Sequence, residues 1–203
     1  MLNSVTVDAE RVYPSKILCI GRNYAGHIQE LGNDIPTDMV VFMKPNSAIS
    51  NELQSFSDEP LHYEGELCLM IKKGKFHAAG FGLDLTRRTL QQTLKDKRLP
   101  WERAKSFDGA AVFSHFTALS DTKSLSLTLH INDVLTQTGN TELMLYKPDA
   151  ILRELSAIMT LEDGDIVMTG TPAGVGVINP GDQFRGTILN KGNVLITGEW
   201  QAK

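Results

Sequence analysis

Only two cysteines, Cys19 and Cys68, occur in the 203 residues, each inside an apolar run and without CxxC spacing. That excludes a disulfide framework and a cysteine zinc clip, and predicts two buried thiols. Long apolar runs are also missing. The longest, such as Leu67–Ile71 and Met39–Met43, fall far short of the roughly 20 residues a membrane-spanning helix needs. Met1–Arg11 has no apolar core of the kind a signal peptide carries, so a cytoplasmic protein is expected. There is no basic surplus: 20 Lys and Arg stand against 24 Asp and Glu, a net charge of −4. A surface that displaces counterions from nucleic acid is therefore not expected. The glycine-rich stretch VMTGTPAGVGVINPGD meets neither GxxxxGK[ST] nor GxGxxG, which removes the common nucleotide cradles, and no GxSxG elbow occurs.

What is present is ordinary for a globular chain: 41% hydrophobic and 22% charged residues, with no repeat or linker, so neither disorder nor a fibre is expected. Short apolar runs predict strands at Ser15–Gly21, Met39–Lys44 and Leu61–Ile71. Tyr24–Leu31, stopped by Gly32-Asn33, and Thr86–Lys97, with Pro100 beyond it, read as helices. Leu125–Ile131 alternates into a hairpin turn at Asn132-Asp133. Pro148–Met159 is a helix with Pro148 in its first turn and a core stripe of Ile151, Leu152, Leu155, Ile158 and Met159. Strands follow at Ile166–Thr169, Gln183–Leu189 and Val194–Trp200, around a Gly/Pro loop from Gly170 to Gly181. Helices and strands do not alternate regularly, so the fold class is β-rich mixed α+β and not a doubly wound sheet.

The sharpest chemical feature is LHYEGELCLMI. In one continuous strand, His62, Glu64, Glu66, Cys68 and Met70 would share a face, with the two glutamates about 7 Å apart. Buried carboxylates that close repel, so a cation must pair them or one must be protonated. An all-oxygen pair suits a hard ion such as Mg²⁺, Mn²⁺ or Ca²⁺. A solvated strand end is the alternative. Asp84 stands at the head of DLTRRTLQQTLK, where it either caps the helix or lines one face with Arg88 and Gln91. Lys105 in WERAKSFDGA is either a surface charge or a group that stabilises oxyanion charge. In GRNYAGHIQELG, His27 and Glu30 lie one turn apart, so the carboxylate can fix the imidazole tautomer. Arg22 and Asn23 are possible anion contacts. The backbone N–H groups of the glycine-rich loop, with Thr169 and Thr171, can hold a small carboxylate or simply connect two strands. His77, His115 and His130 show no metal-ligand spacing.

Taken in order, GRNYAGHIQELG, VVFMKPNSA, HYEGEL, LDLTRRTLQ, PWERAKSFDGA and GDIVMTGTPAGVG resemble the fumarylacetoacetate hydrolase family, in particular its short single-domain acylpyruvate hydrolase and oxaloacetate decarboxylase members. The resemblance runs from about Lys16 to Thr197. It implies a lead-in segment at residues 1–15 and a catalytic domain at residues 16–203, folded as a β-roll or sandwich of mixed sheets with a few short helices, usually as a homodimer. It implies Glu64, Glu66 and Asp84 as ligands of Mg²⁺ or Mn²⁺, and Lys105 near developing negative charge. His27 and Glu30 would activate water, while Arg22, Arg88, Gln91 and Thr171 would contact a small keto-acid substrate. The activity it implies is metal-dependent C–C hydrolysis of acylpyruvates; the alternatives are oxaloacetate decarboxylation or keto–enol tautomerisation at the same site, or an inactive metabolite-binding scaffold. Two departures stand out. Only KKGKFHAAGFGL bridges Glu66 and Asp84, where family members carry a helical stretch. Thr89 follows the helix arginine, where Asp is common, which leaves Arg88 without an evident partner.

Overall fold

A computed structural model describes residues 2–32 and 34–203 of the chain. Its centre is a large mixed sheet. Across it run Val40–Pro45, Lys16–Gly21, Ile166–Met168, Gly65–Lys72, Lys75–Asp84, Ala111–Phe113 and Ile49–Ser50, with Thr117–Ala118 also paired to Lys75–Asp84. The pairings of Ile166–Met168 with Lys16–Gly21 and of Ala111–Phe113 with Ile49–Ser50 are parallel; the other pairings in this sheet are antiparallel. A second, antiparallel sheet has the order Val134–Asn140, Leu125–Ile131, Gln183–Asn190, Asn193–Gln201. Mixed sheets with few short helices are therefore what the chain forms. Among the described residues no helix is long and apolar enough to cross a membrane.

Alternation places the core. Leu125, Leu127 and Leu129 are buried, and they meet Leu67, Leu69, Phe81 and Leu83 of the large sheet. The opposite face of that sheet buries Ile17, Cys19, Cys68, Met70, Ile166 and Met168, so both thiols are interior as expected. With core on both sides, Gly65–Ile71 is buried at every position instead of alternately. The strands Gly65–Lys72 and Lys75–Asp84 are joined by Lys73-Gly74, both at positive φ (51° and 68°), which matches the twist of a two-residue hairpin. The bridge between Glu66 and Asp84 is thus a plain hairpin. Asn132 and Asp133 make the same kind of turn at φ 50° and 65°. Residues 1–15 contain a small hairpin, Val5–Val7 with Glu10–Val12, whose Val5 joins the core.

Among the described residues four α-helices accompany the sheets: α1 (Ala25–Glu30), α2 (Arg88–Asp96), α3 (Glu102–Lys105) and α4 (Pro148–Ile158). Pro148 opens α4, where its missing N–H costs nothing. Ile151 and Leu155 bury the inner face of α4 and Leu152 and Met159 pack beside them, whereas Ile158 is exposed and stands outside the predicted stripe. At the end of α1 the chain turns at Gly32; Asn33, the other half of the predicted stop, lies outside the described residues.

The main correction concerns Leu61–Ile71, which is not one strand. Glu59–Tyr63 pairs with Thr86–Arg87 and Gly176–Val177, and the chain leaves that sheet at Glu64 to enter the large one at Gly65. His62 therefore sits in a different sheet from Cys68 and Met70. The periodicity of an apolar run reports burial, not continuity of hydrogen bonding, and so could not reveal the break.

Candidate active site

The break at Glu64 is what builds the site. Glu64 occupies the junction between two sheets, Glu66 is the second residue of the next strand, and Asp84 is the last residue of the strand paired with it. Asp84 is therefore not a helix cap; its own N–H donates to the Glu64 carbonyl at 2.9 Å, and α2 begins only at Arg88. All three acids are buried, and each offers an oxygen within 4.8 Å of the others.

Cations surround two of them. Lys105, fixed on α3 and buried, donates from Nζ to Glu64 Oε2 (2.9 Å), Asp84 Oδ2 (2.9 Å) and Thr86 Oγ1 (2.6 Å). Arg88 at the start of α2 reaches Glu64 Oε1 at 2.5 Å and Gln91 Oε1 at 2.9 Å. The missing aspartate at Thr89 thus leaves Arg88 with partners after all: Glu64 and Gln91 orient it. Burial alone would raise the Glu64 carboxyl, but the Lys105 and Arg88 charges overcome it and hold the group well below the carboxylate range. For Lys105 burial would favour the neutral amine, yet Asp84 and Glu64 reverse this and raise its pKa.

Glu66 has no such support. Its Oε2 accepts the Gly170 N–H at 2.7 Å, and among the described residues no cationic side chain pairs with it. Burial raises its pKa well above normal, and the Asp84 and Glu64 charges raise it further. A hard divalent cation supplies the charge such a group lacks, and an all-oxygen trio is its ordinary donor set, so these residues fit Mg²⁺ or Mn²⁺.

Next to the trio is a cavity whose wall includes Arg22, His27, Arg88, Gln91, Lys95 and Lys105. His27 is buried on α1; its Nδ1 stands 3.3 Å from Glu30 Oε2, while Glu30 Oε1 accepts the Gly174 N–H at 2.9 Å. The structure thus brings together Glu64, Glu66, Asp84, Lys105, Arg88, Gln91, His27 with Glu30, and Arg22. Thr171 is not on the cavity wall. Its hydroxyl is buried behind Gly65, donating to the Gly65 carbonyl at 2.9 Å and accepting from Gln137 Nε2 at 2.8 Å. Asn23 is no anion contact either: fully buried, it bonds the backbone of Tyr146 (2.7 and 3.0 Å) and Thr169 (2.8 Å). The glycine-rich loop does bind carboxylates, but they are the protein's own Glu66 and Glu30.

Three contributors escaped the sequence reading. Lys44, fully buried at the end of Val40–Pro45, forms an ion pair with Asp84 Oδ1 at 2.8 Å and donates to the carbonyls of Lys105 and Leu85. Gln137, from the second sheet, accepts the Gly65 N–H at 2.9 Å and so braces the strand between the two glutamates. Lys95 lies on α2 with its ammonium 5.0 Å from the centre of the Trp101 ring. A lone lysine ending an apolar strand was the available signal for Lys44. Nothing local marked the other two.

With that geometry in hand, similarity to known proteins is informative. A family model described as fumarylacetoacetate (FAA) hydrolase C-terminal matches residues 16–198. The mitochondrial oxaloacetate tautomerase FAHD1 of Bos taurus is 37% identical over 190 residues, covering 85% of this chain and 86% of its own. Oxaloacetate tautomerase YcgM of Escherichia coli is 36% identical over 205 residues, covering 91% and 93%. Among solved structures, fumarylpyruvate hydrolase from Pseudomonas aeruginosa in complex with Mn²⁺ and pyruvate superposes with a TM-score of 0.87 at 26% identity, covering 99% of this chain and 95% of that one.

Proposed function

The chain belongs to the fumarylacetoacetate hydrolase family, and from that premise we propose that it is a divalent-metal-dependent oxaloacetate tautomerase, with decarboxylation of the same substrate as a companion activity. The observation that carries this reading is the buried acid trio, with Glu66 uncompensated, beside a cavity walled by Arg22, Arg88, Lys95 and Lys105. Such a wall suits a small, multiply charged anion. The naming of relatives at 36–37% identity as oxaloacetate tautomerases supports the choice of substrate.

Glu64, Glu66 and Asp84 would hold the cation, which when bound supplies Lewis-acid polarisation of the keto acid's oxygens. Arg88 and Gln91, side by side on α2, bind a substrate carboxylate. His27, its Nδ1 turned to Glu30, keeps Nε2 for the substrate and takes a proton from the carbon between the carbonyl and the second carboxylate. Lys105, kept cationic by its acid neighbours, stabilises negative charge on the carbonyl oxygen. Return of the proton to that oxygen completes the keto–enol exchange, with one hydrogen moved and nothing consumed.

The test follows enol-oxaloacetate by ultraviolet absorbance, with Mg²⁺ or Mn²⁺ and with chelator, alongside a coupled assay for pyruvate. Metal-dependent acceleration of ketonisation is expected; a rate no faster than buffer would sink the proposal. Hydrolysis of acylpyruvates is a second reading, favoured by the His27–Glu30 pair and by the fumarylpyruvate hydrolase likeness. It requires His27 to deprotonate water, so His27→Ala would abolish acetylpyruvate cleavage, and a wild-type enzyme inert on acetylpyruvate removes it.

A further inference from the structure

Most cations around the trio are tied to protein acids: Lys105 to Glu64 and Asp84, Lys44 to Asp84, and Arg88 to Glu64. Lys95 is not. Among the described residues its ammonium enters no ion pair; it lies over the Trp101 ring, 5.0 Å from the ring centre. It stands on the same face of α2 as Arg88 and Gln91, at i, i+3 and i+7. Helical side chains lean toward the N-terminus, so the Lys95 amine is carried back over the turn bearing Gln91 and into the shared cavity. Burial, helped by the Arg22 and Arg88 charges, lowers its pKa to about 8. A half-buried cation crowded by cations is a place where the protein lacks an anion.

We propose that Lys95 is the specificity-determining residue of the site, binding the second carboxylate of a dicarboxylic 2-keto acid while Arg88 and Gln91 engage the first. The assignment rests on the keto-acid reading of the cavity. The Trp101 ring holds the amine in place; a methyl tail leaves that ammonium without an anion, whereas a carboxylate gains a charge-assisted contact. Lys95 thus separates oxaloacetate from 2-keto acids of equal length that end in a methyl group.

The experiment uses Mg²⁺-loaded wild type, Lys95→Gln and Lys95→Arg. Oxalate affinity is measured by calorimetry, and oxaloacetate and 2-oxobutanoate affinities by stopped-flow tryptophan fluorescence. Wild type is expected to prefer oxaloacetate, and Lys95→Gln to lose ~10-fold or more of that preference, the scale of one charge-assisted hydrogen bond. Lys95→Arg should retain it, and all three proteins should bind oxalate alike. A wild type with no preference, an undiminished preference in Lys95→Gln, or oxalate binding lost in both variants would each overturn the assignment. Preference without tautomerase turnover would remove the proposed activity and leave Lys95 its role. Turnover with a silent Lys95→Gln would do the reverse.

Discussion

Lys44 Nζ stands 2.8 Å from Asp84 Oδ1, and neither side chain is open to solvent. Lys105 takes the other oxygen of the same aspartate. One buried acid thus joins a strand on each side of the large sheet's centre to α3. Breaking a buried pair from one end strands the remaining charge, which typically costs ~3–5 kcal/mol. Lys44→Met should lose stability on that scale in urea unfolding of chelator-treated protein, with added Mg²⁺ restoring part of it. Wild-type stability in the variant would show that the pair contributes nothing.

Glu66→Gln should behave in the opposite way. It removes a charge that burial, Asp84 and Glu64 all oppose, so the metal-free protein should unfold no more easily than wild type. Its Mg²⁺-induced rise in melting temperature should disappear, and Mg²⁺ affinity should fall by more than the ~10–100-fold seen when even an outer partner of a metal ligand is lost. Retained affinity would place the cation elsewhere.

Lys95 also predicts a pH dependence. Facing Arg22, Arg88, Lys105, Glu64 and the Trp101 ring, its amine is a cation below a pKa of about 8 and neutral above it. KM for oxaloacetate should therefore climb as pH passes about 8, with kcat less affected. Lys95→Arg, whose guanidinium does not titrate in this range, should hold KM flat. The same climb in Lys95→Arg would assign it to another group.

Gly174 tethers Glu30, and its backbone has φ +102°, a region that disfavours other residues. A Cβ there would lie 2.2 Å from the Thr136 carbonyl oxygen, a backbone atom that cannot swing away. Gly174→Ala should cost ~1–3 kcal/mol in denaturant unfolding through strain alone. It should also lower kcat, because Glu30 loses the contact that steadies it beside His27. Stability lost with kcat unchanged would detach Glu30 from the reaction.

Much of this was legible in the sequence where the information is local. Alternation in Leu125–Ile131, the Asn132-Asp133 turn and Pro148 at the start of α4 each concern residues close along the chain, and each element is found. Glu64 and Glu66 stood out as two acids leading into an apolar run, whereas Asp84 and Lys105 took their site roles only from the resemblance to the family. The illegible parts are relationships across distance. Glu64 looks like the middle of a strand because both flanks are buried, although they belong to different sheets. Lys44 meets Asp84 across 40 positions and Gln137 meets Gly65 across 72, which no spacing rule registers. Asp84 reads as a cap because it precedes a helix, yet the two residues Thr86–Arg87 first form a short strand against Leu61 and His62.

The loop that carries Gly170 and Gly174 has one consequence for engineering. Its N–H groups grip an acid on the large sheet and another on α1, while Asn23, just ahead of α1, clasps the Thr169 carbonyl where the loop begins. A designer who transplanted the three acids into another sheet would carry over donor atoms without the span that holds the imidazole over them. The smallest portable unit of this chemistry is the acids, the loop and the helix together.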